Sequence, residues 1–380
     1  MKKFVCGVLV AVMISSAYSV YAIETENIGE DTTSLEKKEI RTYTLSLEDA
    51  KKMAYTDNLQ LEAIEYKKRG YEIALDGAKR TKGAYKDMPV SVSSASSGLL
   101  VKKGYYVELY RSQIELAKLE EQKVKDKISY DVTEKYYNYK LTEALVKTSE
   151  TATKIAASNF DTVEKQYELG MVTKIDVDGA RAAYEGAKAQ EEGYKRGLVL
   201  AAEDLKIVLN INDDCQFVLT DDIEYTEFES DVEKDIENAT KTRYDIKSLN
   251  ENERLSEMNY TILRNSLTDS AADTSNARST YVQAKYTRDN STKLIKLGIR
   301  SAYNNIISAK SNMDIAKINV EINRQKYNAS KLKYEMGMIT NDALTTIMND
   351  LSKSEIDYEN AKLSYKLAVE KYGYEITVGL

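Results

Sequence analysis

Large side chains recur every seven positions through the second half of the chain, at Ile299, Ile306, Met313, Val320, Tyr327 and Tyr334. A second row, Ala302, Ala309, Ala316, Asn323 and Ser330, follows three places behind the first five. A heptad of this kind predicts a long helix with a coiled-coil seam, on which alternating large and small residues let a neighbour approach closely. The seam returns through Leu344, Leu351, Tyr358, Tyr365 and Tyr372. The first half carries the same device at Val177, Tyr184, Leu198 and Leu205, with Ala180, Ala187, Tyr194 and Ala201. At about 1.5 Å per residue, the outgoing arm from Asp131 to Leu169 would reach roughly 60 Å.

Outgoing and returning segments are joined by 167–173 and 334–340, which read Tyr-Glu-Leu/Met-Gly-Met-Val/Ile-Thr. Gly170 and Gly337 can take the left-handed conformation that closes a helix. Thr173 and Thr340 then stand where a hydroxyl caps the next helix, and Asp176 completes a capping box in the first copy. Helix reversal by itself explains these residue types.

A shift of 167 positions carries Tyr136 onto Tyr303, Phe160 onto Tyr327, Tyr167 onto Tyr334 and Gly170 onto Gly337 without a gap. Upstream the shift is 185, which carries Ala54, Leu59 and Leu61 onto Ala239, Tyr244 and Ile246. The difference places 18 extra residues in the first copy, between about 80 and 130. Two units this long form a tandem duplication, not a solenoid of short repeats. The expected fold is all-α dominated, two tandem antiparallel helical hairpins with at most a short β remnant around 88–110. The expected organisation is a signal peptide at 1–22, a linker at 23–42, repeats at 43–210 and 231–380, and an acidic linker at 211–230.

Composition narrows the function. Lys2 and Lys3 precede an apolar run from 4 to 14 and then small and polar residues up to Ala22, the layout of a cleavable export signal. The run is too short to span a bilayer. Cys6 lies inside it, which leaves Cys215 alone, without a disulfide framework. The chain has no His and no nucleophile placed beside a base, so it reads as a non-enzyme with no cofactor and no metal site. Loss of the two signal lysines takes the formal charge from −7 to −9, which argues against nucleic acid and anionic lipid as main partners. Asp213, Asp214, Asp221, Asp222, Glu224 and Glu227 surround Cys215, and read as a solvated linker in preference to a cation site. Many of the 29 tyrosines fall on seam positions, where the ring packs and the hydroxyl reaches water.

The opening Leu45, Ser46, Leu47, Glu48, Asp49 and Ala50, with Asn58 to follow, and the two glycine turns leading into Ile175, Asp176, Val177 and Asp178, resemble the outer membrane efflux protein family typified by TolC. The resemblance covers nearly all of the chain after the signal. It implies a homotrimeric helical duct across the cell envelope, serving efflux or type I secretion. It also implies a periplasmic adaptor and an inner-membrane transporter as partners, and it allows membrane association. Carried over, the adaptor contact falls on Leu169, Gly170, Met171, Thr173 and Asp176 in the first copy and on Met336, Gly337, Met338 and Thr340 in the second. Ala343 stands in the second copy where Asp176 stands in the first, with Asp342 one place earlier.

The family builds its outer-membrane barrel from a strand pair in each copy, and a spanning strand needs about 9–11 residues. This chain offers only 90–94, 99–101 and 105–110 in the first copy, around Pro89. The second copy offers 266–291, rich in Ser, Thr, Asn, Asp and Ala, which reads as a polar loop or helix end. The 18 extra residues sit where the first strand pair would, as a truncated remnant. Residues 217–219 are expected to form a short strand in an equatorial belt, by analogy. The competing reading is an exported scaffold or interaction protein, at the cell surface or otherwise outside the cytoplasm, which has lost the barrel and forms no channel.

Overall fold

The computed structural model describes residues 41–87, 95–223, 226–267 and 271–378. The signal segment 1–22, the linker up to 40, the candidate strand 90–94 and Glu224 lie outside these residues. Strand β1 (Arg41–Leu45) leads into α1 (Leu47–Tyr55), α2 (Leu59–Ala84), α3 (Ala95–Lys103), α4 (Tyr105–Glu168) and α5 (Lys174–Val208). Strand β2 (Cys215–Leu219) then opens the second copy, α6 (Val232–Thr242), α7 (Tyr244–Arg264), α8 (Ala272–Glu335) and α9 (Asn341–Thr377). The elements obey the two shifts read from the sequence. Helices α4 and α8 are both 64 residues long, about 96 Å each, and start 167 positions apart; α1 and α6 start 185 apart.

Each long helix packs against its returning partner, α4 on α5 and α8 on α9, and α4 also packs on α9, which joins the hairpins. The seam explains the pairing. Ile299, Ile306, Met313 and Val320 are all buried, and Ala302 and Ser330 from the small row are buried with them. Capping fixes the helix starts: Ser46 Oγ accepts from the Asp49 amide at 3.1 Å, and Asn58 and Asp231 cap α2 and α6 in the same way.

The core of the first copy gathers Ala50, Ala54, Val132, Tyr136, Leu205 and Phe217. It is closed by β1 and β2, which pair in parallel with Tyr43 opposite Phe217. The expected short strand at 217–219 is thus present, within β2. Tyr136 ties the layer together: its hydroxyl donates to Leu45 O and accepts from the Asp221 amide, both at 3.0 Å. The second copy builds its core around Ile236, Ile246, Ile299, Ile306 and Tyr372. There the Tyr365 hydroxyl donates to Thr226 O at 3.0 Å and accepts from the Phe228 amide at 3.1 Å.

The 18 extra residues fall between α2 and α4 and include α3. Residues 99–101 and 105–110, read as strand candidates, are helical. Their apolar side chains serve a helical interface instead: Tyr106, Val107 and Tyr110 face Ala74, Gly77, Ala78 and Thr81 of α2, which recur at helical spacing. In the second copy only 265–271 separate α7 from α8, and 272–291 continue α8. Seven residues are fewer than one spanning strand requires.

The acidic residues of the linker do not converge. Asp221 accepts from the Leu47 amide at 2.8 Å, Asp222 pairs with Lys140 at 2.8 Å, and Glu227 pairs with Lys310 at 2.9 Å. Their dispersal onto separate elements follows from the partners, and no metal-binding group of three or more ligands occurs among the described residues.

Candidate functional site: the paired hairpin tips

Both tips are built by the same backbone device. In the first, the Gly170 amide donates to Tyr167 O at 2.9 Å and the Met171 amide to Gln166 O at 2.8 Å. In the second, Gly337 donates to Tyr334 O at 2.9 Å and Met338 to Lys333 O at 2.8 Å. This doubled hydrogen-bond closure of a helix needs a left-handed residue, and Gly170 and Gly337 supply it with φ of 71° and 70°.

The next helix starts two residues later, from a threonine cap. Thr173 Oγ1 accepts from the Asp176 amide at 3.4 Å, and Asp176 Oδ2 accepts from the Thr173 amide at 2.8 Å and hydroxyl at 2.7 Å. These bonds favour the charged carboxylate and hold the Asp176 pKa below its ordinary value. Thr340 caps α9 through the Ala343 amide at 3.3 Å, and Ala343 has no carboxylate with which to return the bond as Asp176 does.

Backbone geometry leaves the large apolar side chains pointing outwards. Leu169 is 75% exposed, Met171 69%, Met336 66% and Met338 68%. Beneath the first tip, Val163, Val177 and Ala180 are buried, with Phe160 and Val172 packed against them. The four tip side chains take no part in this small core. Flexible methionines and a leucine form an adaptable, solvent-exposed apolar surface there.

The two tips lie at the same end of the body. The Tyr334 hydroxyl on α8 donates to Gln166 Oε1 on α4 at 3.4 Å, and Asn159 Nδ2 donates to Thr345 Oγ1 at 3.2 Å. All nine residues singled out from the sequence therefore occupy two adjacent turns: two helix-closing glycines, two capping threonines, one capping aspartate and four exposed apolar side chains.

Sequence reading missed a second surface. Among the four long helices α5 packs on α4, α4 on α9 and α9 on α8, which leaves α5 and α8 outermost of the four, and both carry exposed apolar residues. Leu200 and Ile207 stand a heptad apart on α5; Leu297, Ile307, Ile318 and Ile322 stand exposed on α8. The buried seam is the stronger periodic signal and hides this weaker one.

No protein-family profile matches the chain, and no curated protein matches it. Solved structures do. The CmeC outer membrane channel of Campylobacter jejuni is 13% identical, with 93% of this chain and 94% of that chain covered and a TM-score of 0.66. The outer membrane protein VceC of Vibrio cholerae is 13% identical over 88% of this chain and 97% of that chain, with a TM-score of 0.69. The MtrE outer membrane channel of Neisseria gonorrhoeae is 13% identical over 88% and 89%, with a TM-score of 0.65. At such identity the likeness establishes the fold. The chain has the tandem-hairpin architecture of these outer membrane channels, as its resemblance to TolC-type proteins implied.

Proposed function

We propose that the protein is the exported, self-assembling duct component of an efflux or type I secretion system, a homotrimer whose hairpins form a helical tube in the cell envelope. The observation that carries this reading is the pair of glycine-closed, threonine-capped tips at one end, each presenting two exposed apolar side chains. Such tips suit docking to the hairpins of a periplasmic adaptor, which would link the tube to an inner-membrane transporter.

Self-assembly is supported by the edges. The exposed apolar residues of α5 and α8 lie on the two outermost of the four long helices, so the natural joint is head-to-tail, α5 of one copy against α8 of the next. A joint of that kind closes into a ring when the rotation allows. On this reading the polypeptide does no chemistry and serves as a passive conduit.

A second reading has its own observation. The seven-residue connection between α7 and α8 leaves no room for a spanning strand pair in the second copy. This favours an envelope scaffold with the same helical body and no bilayer channel.

Light scattering and planar-bilayer conductance of the purified protein test the two together. A trimer that conducts supports the duct. A trimer without conductance supports the scaffold, and a monomer contradicts self-assembly in both.

A further inference from the structure

The end of the first copy where α2, α3 and α4 meet is strongly basic in an acidic protein. Residues 79–111 contain seven Lys and Arg against two Asp and Glu, while the whole chain is at −7. Six of these cations, Lys79, Lys82, Lys86, Lys102, Lys103 and Arg111, line one groove of about 640 Å³ that has no carboxylate in its wall. Lys79 and Arg111 are engaged at its margins by Asp76 at 3.1 Å and Glu108 at 2.6 Å. Among the described residues, Lys82, Lys86 and Lys103 form no ion pair.

Three of the six cations, Lys86, Lys102 and Lys103, lie between α2 and α4, where the first copy holds the 18 residues that the second lacks. Gly104 sets their arrangement: it reverses the chain between α3 and α4 at φ 81°, and a Cβ there would stand 2.6 Å from Lys82 Nζ. Lys82 therefore lies across the turn, above the amino end of the 64-residue α4, whose first turn has no side-chain cap. That end carries partial positive charge. The carboxyl ends of α2 and α3 attract some of these lysines by the same physics, but they do not account for six cations on one groove.

Beside the groove lies an apolar cavity of about 290 Å³, lined by Ala74, Ala78, Val101, Tyr106, Val107 and Tyr110, with Val107 common to both. A cationic groove opening onto an apolar cavity with two tyrosines at its rim matches a molecule with a phosphate beside a hydrocarbon portion. We infer that this end of the body binds the surface of an anionic phospholipid membrane, with headgroup phosphates in the lysine groove and acyl or glycerol carbons against Val101, Val107 and Tyr110. The overall acidic charge argued against anionic lipid; the insertion concentrates positive charge where the chain-wide sum conceals it. This inference does not rest on the duct reading, because a scaffold would use the same groove.

Cosedimentation of the exported protein with vesicles tests it, using phosphatidylcholine alone and phosphatidylcholine with phosphatidylglycerol. Binding should require phosphatidylglycerol and weaken with salt. The triple substitution Lys82→Gln, Lys86→Gln and Lys103→Gln, at exposed positions, should lower affinity roughly a hundredfold. The triple Lys317→Gln, Lys326→Gln and Lys331→Gln on α8, with the same change in net charge, should leave it unaltered. Equal binding to both vesicle types, or equal loss in the two triples, would overturn the inference. Displacement from vesicles by inorganic phosphate at matched concentration would also overturn it, by reassigning the groove to a soluble anion.

Discussion

The Tyr372 hydroxyl on α9 donates a hydrogen bond to Asp235 Oδ2 on α6 at 2.7 Å, from a side chain only 1% exposed. Burial, and then the neighbouring carboxylate, hold this phenol protonated well above its ordinary range. Tyr372→Phe keeps the ring and its packing against Phe228 but removes the donor. A hydrogen bond to a charged group contributes roughly 1.5–3 kcal/mol, so the guanidinium unfolding midpoint should fall by a corresponding amount, with the cooperativity of unfolding retained. An unchanged midpoint would show that the bond contributes nothing.

Arg243 makes another buried polar link in the second copy. Its side chain is 3% exposed and donates from Nη1 to Glu375 O at 2.7 Å and from Nη2 to Asp245 Oδ2 at 2.7 Å. Arg243→Met strands the partly buried Glu375 carboxylate. Breaking a buried pair by removing one member costs about 3–5 kcal/mol, so this variant should be destabilised more than Tyr372→Phe in the same unfolding measurement.

Gly170→Ala and Gly337→Ala test the turns. The space around each glycine is open, since a Cβ at either position meets no atom within 4 Å. The cost is therefore the left-handed backbone alone, about 1–2 kcal/mol per site. Asn, which tolerates that conformation better, should recover part of the loss. If Ala and Asn behave alike, the left-handed turn does not limit stability.

Asp176 predicts a pH dependence that separates the two tips. Its folded pKa is depressed by Thr173, so its contribution is present above the ordinary carboxylate pKa and is lost as pH falls through the lowered folded value. The difference in thermal midpoint between the wild type and Asp176→Asn should thus be present near neutrality and vanish in acid. A difference that persists in acid would assign the effect to something other than the carboxylate charge.

Much of this architecture is legible in the sequence because it is periodic. The heptads of α8 predict which of its residues are buried, and the two shifts predict equal long helices, because seam packing repeats one local rule. The glycine turns and threonine caps are legible for the same reason: each bond spans only a few residues. What escaped were contacts without local periodicity. The register of β1 on β2 joins Arg41 to Cys215, and Arg243 reaches Glu375 across 132 positions. The stretch 95–110 reads as weak strand because its apolar runs are short and broken by Lys102, Lys103 and Gly104; helix wins there because α2 offers Ala74, Gly77 and Ala78 as a small-residue bed. The groove of six lysines and arginines was hidden by averaging charge along an acidic chain.

On the proposed duct reading, copies of this chain close into a ring through α5 and α8. Leu200 on α5 and Ile307 on α8 are exposed and stand at similar heights, each about 40 Å from its tip by helix rise. A chain carrying Leu200→Cys and Ile307→Cys in a Cys215→Ser background, oxidised and run without reductant, should give a ladder that stops at a closed trimer. A product that remains monomeric, or a ladder that continues without closing, would contradict the account.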